Sequence, residues 1–184
     1  YEAGVRLIEE IKDEIMYLES IINALDIATT ENDLNNIKEE LIITGYIKKN
    51  SKSKSKDNKN NKPLHYISSD GFDMYVGKNN LQNDELTFKF ASNSDWWFHA
   101  KQMPGSHVIV KTNGKELPDR TFEEAAALAA YYSKGRDLDK VEVDYVLKKE
   151  VKKPAAAKPG FVVYYTNYSL IAIADIKGIK EVTG

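Results

Sequence analysis

The stretch Asp95–Lys111, DWWFHAKQMPGSHVIVK, gathers two tryptophans, a phenylalanine, two histidines and two lysines around one Pro-Gly pair. Such residue types can ligate a metal, carry a nucleophilic triad, stack on unpaired bases or simply fill a core. Metal binding is disfavoured. His65, His99 and His107 are the only histidines, there is no cysteine, and no two histidines stand at helical i, i+4 spacing. Hydrolysis is disfavoured too: Ser106, His107 and Asp95 are the right types, but neighbours on an extended strand point to opposite faces, and no G-x-S-x-G elbow is present. Asp95 is better suited to bonding backbone in the turn before the strand. These residues point away from an enzyme and from a resident metal or cofactor.

RNA suits them better, because rings and imidazoles stack on unpaired bases while lysines and amides hold phosphates. Alternation puts Trp97, His99 and Lys101 on one face of the first strand and Trp96, Phe98 and Ala100 on the other. The second set is the more apolar, so we expect it to face the core and the first set, together with His107, to be accessible. Two further stretches join these. In KKEVKKPAAAKPG the five lysines Lys148, Lys149, Lys152, Lys153 and Lys158 outnumber Glu150, and two prolines break any strand, so a basic rim loop is expected. In GKNNLQND the residues Gly77, Lys78, Asn79, Asn80 and Gln82 suit a loop that contacts phosphate or sugar. The rivals are a protein-binding patch, as in an adhesin, and a motif that is entirely core.

These candidates must be positioned by a β-rich body. From Pro63 onward LHYIS, FDMYVG, ELTFKF, WWFHAK, HVIVK, VEVDYVLKK, FVVYYT and SLIAIAD are short, β-branched and aromatic, and separated by Gly, Pro, Asn or Asp. Met103-Pro104-Gly105-Ser106 has the proline and glycine of a type II turn, which makes the flanking runs a hairpin. One helix interrupts, with Thr121 and Glu124 as a capping box and Gly135 as its stop; its five alanines allow close approach to a sheet. The expected fold is α+β: a curved, mostly antiparallel sheet with one packed helix over residues 63–184.

Ahead of the body, Ile8, Ile11, Ile15, Leu18, Ile22 and Leu25 follow the a/d spacing of a coiled coil. This seam needs a partner helix, from sequence upstream of Tyr1 or from another copy of the chain. Thr30 and Asp33 cap a short second helix that should stop at Gly45, completing an arm over residues 1–47. Residues 48–62, rich in Lys, Ser and Asn, have a linker composition. Residues 1–44 hold 3 basic and 11 acidic side chains, residues 45–62 hold 7 lysines and one acid, and residues 63–184 balance 16 against 16. A nucleic-acid footprint must therefore be a local patch. No apolar run reaches the roughly 18 residues of a membrane span.

VGKNNLQNDELTFKFA, DWWFHAKQMPGSHVIV and KKPAAAKPG, in that order and with a helix ending in SKGR before the last, resemble the NFACT-R domain. That domain is the C-terminal part of NFACT proteins, the group of the RqcH and fibronectin-binding protein A types. Residues Met16–Lys49 are similar to the end of the family's middle coiled coil and the short helix after it. The resemblance implies a cytoplasmic factor of ribosome-associated quality control, contacting rRNA and tRNA on an obstructed large ribosomal subunit. It also implies, for the whole protein, alanine tailing. Fibronectin binding and surface association are the alternative that the family name carries. The family's basic loop usually has glycine where Ala155–Ala157 stand.

Overall fold

The computed structural model describes residues 1–51 and 61–183. Most of the expected linker, residues 52–60, lies outside the described residues. The arm consists of α1 (Glu2–Ile27) and α2 (Glu31–Ile43). Thr30 Oγ1 accepts from the Asp33 N–H at 3.1 Å and Asp33 Oδ2 accepts from the Thr30 N–H at 3.3 Å, the reciprocal box that the spacing implied. At the other end the Tyr46 N–H donates to the Leu41 carbonyl at 2.9 Å and Gly45 takes φ +85, a left-handed stop suited to glycine.

Seven strands form one open sheet in the order β6-β5-β3-β4-β2-β1-β7, all neighbours antiparallel. They are β1 (Leu64–Ile67), β2 (Asp73–Val76), β3 (Trp96–Ala100), β4 (Val108–Val110), β5 (Val141–Leu147), β6 (Tyr168–Ala172) and β7 (Lys180–Glu181). Two runs expected as strands are not. Asn80–Glu85 is a short helix, α3, that widens into a π turn over Leu86–Phe90, so ELTFKF is helical. The Asn79 side chain accepts from the Gln82 N–H at 2.9 Å and caps α3, a local bond that outweighs the β propensity downstream. FVVYYT is a loop with a single bridge, Val163 to Lys152.

The Pro-Gly turn also differs. Gly105 has no positive φ; its value lies in space, since a Cβ there would stand 3.0 Å from the Ser133 Cβ. The strands β3 and β4 still pair, Trp97 opposite Ile109. Helix α4 (Asp119–Tyr131) starts two residues before the expected cap, because Thr121 is buried and its hydroxyl donates to Ser68 and Asp70 instead.

Strand alternation holds, but the exposure inferred from it does not. Phe98 and Ala100 face α4 with Met74, Val108 and Val143, and Ala125, Ala126, Ala129 and Ala130 let that helix lie close. The opposite face of β3 is covered as well: Trp97 is fully buried with Ile109, Val146, Leu86 and Val151. A central strand sandwiched between a helix and the α3 to residue-164 layer has two apolar faces. Trp97 is thus a core side chain rather than a stacking platform. Trp97→Ala should lower unfolding free energy by about 3–5 kcal/mol in urea titration; a loss below about 1 kcal/mol would return the ring to the surface.

Candidate nucleic-acid interface

The three stretches singled out in the sequence converge on one corner, and Gly160 is where they meet. Its N–H donates to Asp84 Oδ1 at 3.0 Å and its carbonyl lies 3.2 Å from His107 Nε2. A Cβ on Gly160 would fall 2.4 Å from Asn80 Oδ1, and its φ is +82, so glycine is required twice over. The Phe161 N–H donates to the Lys158 carbonyl, so Lys158-Pro159-Gly160-Phe161 is the proline–glycine turn that was expected at residues 103–106. Earlier in the same loop Ala156 sits at φ +59, a conformation glycine adopts without strain, which accounts for the glycine of the family pattern.

Convergence uses up many of the polar groups expected to touch RNA. Gly77 leaves room for Asn83, whose Oδ1 accepts from the His107 N–H at 3.1 Å. Lys78 Nζ bonds Asp33 Oδ1 at 2.7 Å; although burial works against its charge, this ammonium and the Thr29 N–H hold the Asp33 carboxyl below its usual value. Asn79 caps α3, and Gln82 accepts from the Lys78 N–H and bonds Asn61. Asn80 Nδ2 donates to Ser20 Oγ at 2.9 Å and Glu40 Oε2 at 3.0 Å, inside the arm junction. Lys101 is paired with Glu142 at 3.1 Å. Lys153 Nζ reaches Asp84 at 3.0 Å and the carbonyls of Lys158 and Phe161, so it clasps the loop from within. Asp95 does what its position suggested, accepting from the Ser92 and Thr112 N–H groups and from Lys111.

The histidines are part of this packing. A carbonyl only accepts, so His107 Nε2 carries the proton toward Gly160 and Nδ1 accepts from Thr87 Oγ1 at 2.8 Å. Burial first, and the neighbouring His99 second, push His107 well below its usual value; burial also lowers His99, whose ring stacks on Trp97 with centroids 5.6 Å apart. Both rings stand neutral in the folded chain near pH 7.

What remains accessible is a cleft of about 780 Å³ between α1 and the residue 154–165 loop. Its floor includes Trp97, His99 and His107; Met103, Phe161 and Tyr165 line one side. The other side is a helix face that no motif pointed to: Asp13, Met16, Tyr17 and Ser20 fall at i, i+3, i+4 and i+7 on one face of α1. At 3.6 residues per turn the coiled-coil seam lies on the opposite face, and it is open: Leu18 is 38% and Ile22 57% exposed. Lys158 crosses the cleft mouth with Nζ 4.9 Å above the Tyr17 ring, and Lys149 and Lys152 are exposed on the same loop, with Lys148 half-buried. In the sequence Tyr17 stands only as a helix residue and Tyr165 only within the strand-like run FVVYYT.

Two consequences are measurable. Gly160→Ala should lower the melting temperature by several degrees and detach the loop, seen as new protease cleavage between Lys152 and Tyr165, whereas Ala156→Gly should raise it slightly. An unaltered melt in Gly160→Ala would refute the close approach. In the unfolded chain both rings protonate near the ordinary 6.5, and in the folded chain only at lower pH. Acidification below pH 6.5 therefore favours unfolding by up to about 1.4 kcal/mol per pH unit per ring, and His107→Asn should flatten that slope in urea melts between pH 6.5 and 5.

Comparison with known proteins identifies the family. The model of the NFACT protein RNA binding domain matches residues 62–166, and that of the NFACT N-terminal and middle domains matches residues 2–60. Proteins named Rqc2 homolog RqcH are similar over most of the chain. The one from Streptococcus suis is 48% identical over 86% of this chain and 28% of its own length. That from Streptococcus pneumoniae is 45% identical over 95% and 31%, and that from Bacillus subtilis 40% over 95% and 30%. The chain thus spans less than a third of the curated relatives it matches. Among solved structures, the C-terminal part of the fibronectin/fibrinogen-binding protein of Streptococcus suis superposes with a TM-score of 0.89 at 44% identity, covering 97% of this chain and 72% of that one. This chain belongs to the NFACT family, as an RqcH-like segment that carries the NFACT RNA-binding domain.

Proposed function

We propose that this segment is a non-catalytic RNA-binding module that grips single-stranded or loop RNA along the Lys148–Lys158 rim. In the whole protein that RNA would be rRNA or tRNA on an obstructed large ribosomal subunit, in the cytoplasm, where the family resemblance also implies alanine tailing. One observation carries the reading: Lys158 stands at the mouth of a cleft with accessible rings, and Lys149 and Lys152 are exposed on the same basic stretch, in a body whose charges sum to zero. Trp97, Asn79, Asn80, Gln82, His107 and Lys153 act in this reading as the frame that shapes the rim, because their polar groups or surfaces are already engaged. Among the described residues no group of His, Asp and Glu could hold a metal ion, and no helix is long and apolar enough to cross a membrane.

A second reading, protein binding, has its own support in the edge strand β6, where Tyr168, Ile171 and the following Ile173 are exposed. An unpaired apolar edge is a template for strand addition. The solved relative is named for fibronectin and fibrinogen.

Salt dependence separates the two. If Lys149 and Lys152 each neutralise a phosphate, the combined variant Lys149→Ala, Lys152→Ala should lose about 1.4 from the log–log salt slope on single-stranded RNA, roughly 0.7 per contact. An unchanged slope would remove the rim from RNA binding.

A further inference from the structure

We propose that the cleft between α1 and the residue 154–165 loop captures an unstacked nucleobase of single-stranded RNA, at a site completed only where the arm meets the RNA-binding body. This deepens, and rests on, the reading of the rim as an RNA surface. The walls come from both sides of the family boundary: His99, Phe161 and Tyr165 lie within residues 62–166, whereas Met16 and Tyr17 lie within residues 2–60.

The chemistry of the walls matches a base. Flat rings and a thioether present polarisable surface from both sides, and Tyr165 is 87% exposed, free to close over an occupant. A cation stands where the backbone of a captured nucleotide would leave the cleft, Lys158 at the mouth; Lys152 lies at the foot of the loop, its backbone paired with Val163 and its ammonium on the Lys149 carbonyl at 2.9 Å. An apolar peptide side chain would use the walls but not this cationic border. Rigidity favours the assignment as well. The arm is held to the body by Arg136 donating to Asn23 Oδ1 at 2.9 Å, Asn23 donating to the Tyr132 carbonyl at 3.2 Å, and Lys134 paired with Glu19 at 3.3 Å. The α1 wall is thereby preset before any ligand arrives, and a helix docked on the exposed seam would leave the cleft open.

The test compares a short oligoadenylate or oligouridylate with an abasic strand of the same length, which keeps the phosphates and lacks the bases. The wild-type chain should prefer the base-bearing strand by about tenfold or more. Met16→Trp, which fills the cleft from α1, and Tyr165→Ala, which removes one ring, should each collapse that preference; both sites are exposed, and unchanged thermal melts will show that folding is intact. Equal preference in wild type and both variants, with binding still weakened by Lys149→Ala, Lys152→Ala, would overturn base capture while leaving the rim as an RNA surface. Absence of salt-dependent binding to either strand would overturn both. Binding of a fibronectin fragment abolished by Met16→Trp, with RNA preference untouched, would assign the cleft to peptide instead.

Discussion

The arm junction turns on one buried carboxylate. Glu40 of α2 is fully enclosed, and its Oε2 accepts from the Tyr17 hydroxyl at 2.6 Å and from Asn80 Nδ2 at 3.0 Å. One oxygen thus joins α1, α2 and α3. Burial raises the Glu40 carboxyl above its usual value, and burial together with the Glu40 contact raises the Tyr17 phenol. A polar group enclosed in this way costs several kcal/mol if its partners leave, so the three helices move together or not at all. Asn80 in turn sets the position of Gly160, which sets the loop, which sets the cleft. The geometry of the rim is therefore coupled to this junction, with the Lys158 ammonium itself 4.9 Å above the Tyr17 ring.

Much of the fold was legible because it follows from local rules. The capping box at Thr30, the stop at Gly45, six of the eight runs expected as strands and the alanine helix each depend on residues a few positions apart, and each appears in the structure. What failed depended on layers. Nothing in WWFHAK tells how many of its faces are covered, and the second layer over Trp97 comes from a π turn and an irregular loop that carry no period. The hydrophilic run GKNNLQND looked like a solvent loop for the same reason. Its amides are instead spent on capping α3 and on crossing to the arm, and a pairing between Asn80 and Glu40 across forty positions leaves no trace in spacing.

For the candidate site the lesson is similar. The three stretches do come together, but as a frame: lysines counted equally in the sequence divide into a caged Lys153, a paired Lys101 and the exposed Lys149, Lys152 and Lys158. Charge in a sequence reports composition, and only the fold reports which charges are left over. The residue 154–165 loop owes its shape to two left-handed positions, Ala156 and Gly160, and to an internal ammonium clasp, and that shape brings Phe161 and Tyr165 to face α1. The same helix carries an open apolar seam on its far side.

The central claim, that arm and body form a single RNA-contacting unit, is tested most directly by ultraviolet cross-linking of single-stranded RNA to this chain followed by mass spectrometry of the adducts. The account predicts adducts on two peptides far apart in sequence, one containing Met16–Ser20 and the other Phe161–Tyr165. Adducts confined to other surfaces, or to the body peptide with the arm peptide unmodified, would contradict it.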